Sequence, residues 1–327
     1  MEDSKVLKRL LEQAGKYHPL YGGGLATHLP MVLIALDFLN APKQKLESTF
    51  KQSLDGLELV ASLTGVTAVA DIEQDLGDSQ KFAGYLKYFK TELASYGTHA
   101  VLKKSLPVLM PGIAASAFHA LIRLAYAIEA NNQDEIAMAL AFWSAEYQPF
   151  SLSGGLTEES LENILTRLAP LAENYKFSPG IIVDRMNEIG ELLQCRGCVI
   201  QPRSIELSAI RSLALKAFYA NDDFTLLHAV TGCHAFSIIM PYLENIEPAL
   251  KALWQAIVVA YLSTGLAYED AAITPPEGHS DFTPVLARAI ESTDAHVIKL
   301  AYTCFCEYTK FKEPLYYAVA QRAVLND

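Results

Sequence analysis

The stretch MPGIAASAFHALIRLAYAIEANNQDEIAMALAFWSAEY, Met110–Tyr147, decides how the chain is read. Its first half has the period of one buried helix, carrying His119, Arg123 and Tyr126 among apolar neighbours. On a helix these three fall on one side, a polar stripe on an otherwise apolar rod. Burying an imidazole and a guanidinium without partners would cost several kcal/mol, so the stripe must face an acceptor, a metal or a ligand.

Outward from this stretch, nearly every periodic segment has the helical period. Helices are expected over residues 3–16, 28–40, 46–54, 79–96, 98–106 (stopped by Pro107), 157–174, 179–194, 203–220, 222–243, 246–268, 284–291, 293–309 and 313–325. Residues 55–78 fit a helix or a short strand pair, and helix is the expectation. Pro19 with Gly22–Gly24, Pro149–Gly155 and the polar Thr274–Pro284 mark loops. The pattern predicts an all-α fold, a large multi-helix bundle forming one domain over residues 1–327, with Pro149–Gly155 as its one candidate sub-boundary.

Composition narrows the function classes. The 327 residues are 51% hydrophobic and 19% charged, an apolar balance suited to helices buried on several faces or to an apolar cavity. A net charge of −11 without a basic patch argues against nucleic acid as a partner. The opening MEDSKVLKRLLEQ lacks an apolar signal core. No membrane span is expected; the nearest apolar run, Ala256–Leu266, is too short. Cys195, Cys198, Cys233, Cys304 and Cys306 form an odd set without scaffold spacing, which fits a reducing, cytoplasmic location.

Eight histidines fall into two groups. His18, His99 and His279 read as loop histidines with polar neighbours, whereas His28, His119, His228, His234 and His296 sit in or beside apolar helices. A hydrogen-bonded core histidine accounts for any one of the latter. Five from four separate regions point to a metal site built from inward-facing side chains on different helices. His296 and Lys299 are three apart and share a face. Within VIKLAY an ammonium would be costly, and a neutral lysine can take up carbon dioxide as a carbamate, an anionic oxygen ligand. On spacing alone, a lysine paired with an acid or snorkelling is the favoured reading. His228 and His234 are six apart, so a kink or π-bulge at Gly232 is needed before both could reach one centre.

Other motifs carry less. His279-Ser280-Asp281 has the spacing of a two-histidine, one-carboxylate iron site but lacks the strands that usually hold one. Cys195-Arg196-Gly197-Cys198 is one lone C-x-x-C, and Gly22-Gly23-Gly24 matches no nucleotide loop.

HLPMVLIAL (His28–Leu36), LPVLMPGIAASAFHALIRLAYAIE (Leu106–Glu129), LLHAVTGCHA (Leu226–Ala235) and HVIKL (His296–Leu300) together resemble the questin oxidase-like family. That family is all-helical, and its fungal members open anthraquinone-type rings in aromatic polyketide pathways by oxygen insertion or carbon–carbon cleavage. The resemblance implies a non-haem iron oxygenase, with dioxygen and a small aromatic, quinone-like substrate. It implies a histidine-rich site that can include a carboxylated lysine, with His28, His119, His228, His234, His296 and Lys299 on the matching positions. Arg123 or a tyrosine, Tyr126 foremost, would orient a substrate oxygen. Two alternatives stand beside this reading: an NADPH-dependent Baeyer–Villiger-type oxidase, and a non-catalytic helical ligand-binding or scaffold protein.

Overall fold

The computed structural model describes residues 3–60, 69, 71–152, 154–269 and 281–326. Fifteen α-helices occur among them: α1 (Asp3–Ala14), α2 (Leu29–Phe38), α3 (Lys43–Gln52), α4 (Ile72–Asp75), α5 (Phe82–Leu109), α6 (His119–Glu129), α7 (Gln133–Ala145), α8 (Leu161–Leu168), α9 (Ile182–Cys195), α10 (Leu207–Asn221), α11 (Phe224–Ile239), α12 (Ile246–Leu262), α13 (Phe282–Glu291), α14 (Ala295–Phe311) and α15 (Pro314–Leu325). The described strands are two-residue pieces. One antiparallel pair, Leu20–Tyr21 with Leu25–Ala26, closes over Gly22–Gly24; one parallel pair joins Leu156–Thr157 to Gln201–Pro202. The all-α expectation holds.

The chain falls into two compact units. The first takes Met1–Thr98, Ile122–Ala145 and Thr274–Asp327; the second takes His99–Leu121 and Glu146–Ile273. In the first, α2 packs on α1, α3 and α14, and α14 packs on α13 and α15. Residues Leu29–Leu36 of α2 are all buried, which a helix apolar on every face requires. Pro30 sits in its first turn, where a missing N–H costs nothing. In the second, α10 packs on α8, α11 and α12, and α12 also meets α9. Helix starts carry capping side chains: Ser160, Asp223, Asn245, Asp281, Asp294 and Glu313 each accept a backbone N–H of the first turn.

Three sequence expectations change. The helix predicted from Met110 begins only at His119. Pro111 and Gly112 form a 3-10 turn, and Ser116, Ala117 and Phe118 then adopt left-handed φ values of 48°, 52° and 68°. Helix α5 runs through Pro107 to Leu109 rather than stopping at the proline, and kinks earlier, at Gly97 (φ 76°, ψ 165°). Phe224–Tyr242, which is α11 with its 3-10 extension, is long and apolar enough to cross a membrane, but 72% of it is buried inside the protein, as in a core helix. The Pro149–Gly155 loop lies close to Ala145–Glu146, where the chain passes between units. Residues 61–68 and 70, within the ambiguous 55–78 stretch, and the loop residues 274–280, with His279 and Ser280, lie outside the described residues.

Candidate metal centre

In the second unit the strained turn before α6 builds the surroundings of His119. Each left-handed residue that is not glycine costs about 1–2 kcal/mol, and three in succession persist only if the fold enforces them. The turn aims the Ser116 carbonyl back at the helix start. It accepts both the His119 backbone N–H (3.2 Å) and the His119 ring at Nδ1 (2.6 Å). A carbonyl can only accept, so Nδ1 carries the proton and Nε2 bears the lone pair. Phe118, fully buried, turns its ring onto α11 at Gly232. A β-carbon on that glycine would sit 3.2 Å from Phe118 Cδ1, tighter than an ordinary contact.

Helix α11 presents His228 to the same neighbourhood. Its ring lies 4.5 Å from the His119 ring, centroid to centroid, and 4.9 Å from Phe224. His228 donates from Nδ1 to the Phe224 carbonyl at 2.9 Å, so it too turns a basic Nε2 outward from that bond. Helix α11 is regular across Gly232, without the kink or π-bulge that would swing His234 round to His228. Six helical residues leave the two rings about 120° apart. His234 is buried on α11 in its own direction.

The first unit assembles a second cluster where α2 and α14 begin. His28 is the N-cap residue of α2, and its ring stands edge-on to that of His296, 4.3 Å away. Asp294 caps α14 and accepts both the His296 backbone N–H (2.7 Å) and ring Nδ1 (3.1 Å). That hydrogen bond holds the Asp294 carboxyl below its usual range, whereas burial lowers His296. One turn on, Lys299 is 1% exposed, and burial drags its ammonium down to about 7. His28, His119 and His296 all stand at helix N-termini.

Arg123 and Tyr126, one and two turns along α6 from His119, belong to the first unit. Arg123 is locked in a buried ion pair: Nε donates to Oε1 of Glu135 and Nη2 to Oε2 at 3.2 Å, with side-chain exposures of 1% and 2%. Its charge is neutralised within the chain, while Nη1 is buried with no hydrogen bond. Tyr126 is buried, its ring 5.5 Å from that of Tyr302, and desolvation pushes its hydroxyl far above the usual phenol range.

Reading the sequence missed the groups that orient these residues. Asp294 carries a local signal, a capping residue at a helix start two positions before a histidine. Glu135 does not, because only the α6–α7 hairpin brings it to Arg123. The Ser116 carbonyl has no side-chain signature at all.

No curated protein matches the chain. The model of the questin oxidase-like family matches residues 25–187 and 207–304. The matched segments contain all five of these helix-associated histidines and Lys299, and they span both units. Family match, all-helical fold and paired buried histidines agree, and the chain belongs to the questin oxidase-like family.

Proposed function

We propose that the protein is a metal-dependent oxygenase, with non-haem iron as its metal, acting on an aromatic, anthraquinone-like substrate. In the second unit His119 and His228 would each offer ring Nε2 to the ion, and in the first unit His28, His296 and Lys299 are the candidate donors. The observation that carries this is the fixed tautomer of three rings. His119 and His228 donate from Nδ1 to backbone carbonyls and His296 bonds through Nδ1 to a carboxylate, the outer-shell pattern of metal-ligating histidine. Neutral imidazole nitrogens suit first-row transition metals, so the donor set fits the group. Iron bound there would supply dioxygen activation.

The chain's own residues do the rest. A lysine held near 7 is substantially neutral at physiological pH. Its amine adds to carbon dioxide with formation of an N–C bond and loss of one proton, which places an anionic oxygen beside His296. The Arg123–Glu135 pair stiffens the α6–α7 hairpin, and Arg123 would present Nη1 to a substrate carbonyl. The apolar residues around the histidines keep water from reactive species.

Elemental analysis after anaerobic iron loading tests the first half of the proposal, and oxygen uptake with a hydroxyanthraquinone tests the second. One iron per chain and substrate-dependent uptake are expected. No transition metal above trace would overturn the proposal, and NADPH consumption coupled to uptake would replace it with the Baeyer–Villiger reading.

A further inference from the structure

Beyond Lys299, one face of α14 continues as Tyr302, Thr303 and Cys306, all in the first unit. Tyr302 is 5% exposed and donates its hydroxyl proton to Oε1 of Glu129, a half-buried residue at the end of α6, at 3.1 Å. Its ring packs 5.5 Å from Tyr126 and 5.8 Å from Phe38. The Cys306 thiol, a turn further on and half-buried, is in hydrogen-bonding contact with the Tyr302 hydroxyl. An oxidisable phenol, a carboxylate to take its proton and a thiol able to re-reduce it thus meet in one place.

We propose that Tyr302 is a redox-active tyrosine, a safety outlet that carries oxidising equivalents away from the histidine–lysine end of α14. A one-electron oxidant takes an electron from the phenol while the O–H proton crosses to Oε1 of Glu129, leaving a neutral phenoxyl radical and a carboxylic acid. Cys306 then gives a hydrogen atom to the phenoxyl oxygen, restoring the phenol and becoming a thiyl radical. A soluble thiol gives a hydrogen atom to that thiyl and is itself oxidised, and Glu129 returns its proton to water. Burial makes simple ionisation of Tyr302 unfavourable, so loss of proton and electron together is the chemistry its environment leaves open. A hydrogen-bond network of this kind has an acceptor already in place, and the proton need move only along an existing bond. The source of the oxidant rests on the oxygen chemistry proposed above; the behaviour of the residue does not.

The test is flash photolysis of the full chain without added metal, using a ruthenium polypyridyl photo-oxidant, with freeze-quench electron paramagnetic resonance as the readout. A tyrosyl doublet is expected in the wild type and its loss in Tyr302→Phe. It should form more slowly in Glu129→Gln, which keeps an acceptor but no base, and outlive the wild-type signal in Cys306→Ser. Tyr302→Phe keeps the ring that packs on Tyr126, and thermal melts establish folding; if it does not fold, the other two variants decide. An unchanged doublet in Tyr302→Phe, or unchanged kinetics in both Glu129→Gln and Cys306→Ser, would overturn the proposal. A second arm exposes iron-loaded protein to oxygen without organic substrate. A radical under photolysis but none in this arm supports the redox role of Tyr302 and counts against the oxygenase reading instead.

Discussion

Replacing Lys299 by methionine removes an ammonium-bearing side chain that the fold holds at 1% exposure. Burial takes its pKa from 10.5 to about 7, partly countered by the charge of Asp294. A group with a lowered folded-state pKa binds fewer protons folded than unfolded, so stability rises with pH between the two values. At about 1.4 kcal/mol per pH unit, holding Lys299 neutral at pH 7 costs the fold about 5 kcal/mol, and raising the pH to 9 recovers about 2 kcal/mol of it. For a chain of 327 residues, 2 kcal/mol corresponds to a melting shift of about 3 °C. The assay compares calorimetric melts of wild type and Lys299→Met, metal-free and in carbon-dioxide-depleted buffer, from pH 7 to 9. Other titrations are common to both proteins and cancel. Lys299→Met should melt higher at pH 7, with the gap narrowing by about 3 °C at pH 9. A gap independent of pH would refute the reasoning, because it would mean that Lys299 stays charged in the fold.

Three further outcomes follow from the same geometry. Arg123→Ala strands the buried Glu135 carboxylate and should cost about 3–5 kcal/mol in denaturant melts, whereas Arg123→Met with Glu135→Leu should restore most of it. If the double variant folds and binds substrate with unchanged KM, Arg123 is structural and not a substrate anchor. Gly232→Ala presses on Phe118, which the left-handed turn keeps from yielding, and should destabilise by about 1–3 kcal/mol. It should also weaken cobalt(II) binding, read from ligand-field absorption, and Phe118→Leu in the same chain should rescue both. Asp294→Ala frees the His296 ring to rotate and removes a cap, which costs about 1 kcal/mol in thermal melts. The loss should disappear at acid pH, where protonation of the lowered Asp294 carboxyl removes the same contribution from the wild type.

Periodicity made the helices legible because most are buried on a wide face: α2 and α11 are apolar nearly all round, and no strand pattern competes with them. The Met110–Phe118 turn was not legible. Its residues are ordinary helix formers apart from Pro111 and Gly112, and the left-handed run goes with a contact distant in sequence, Phe118 against Gly232, that no local preference signals. Histidines were visible as candidates because polar rings are rare in apolar helices. Their division was harder to see: regular α11 turns His228 and His234 apart, and only the junction of α2 with α14 shows that His28 and His296 meet.

The most direct test of the central claim is anomalous scattering from crystals of iron-loaded protein, recorded on both sides of the iron edge. One edge-dependent peak against the ring nitrogens of His119 and His228 is the expected result. No peak, or a peak away from those two rings, would contradict it.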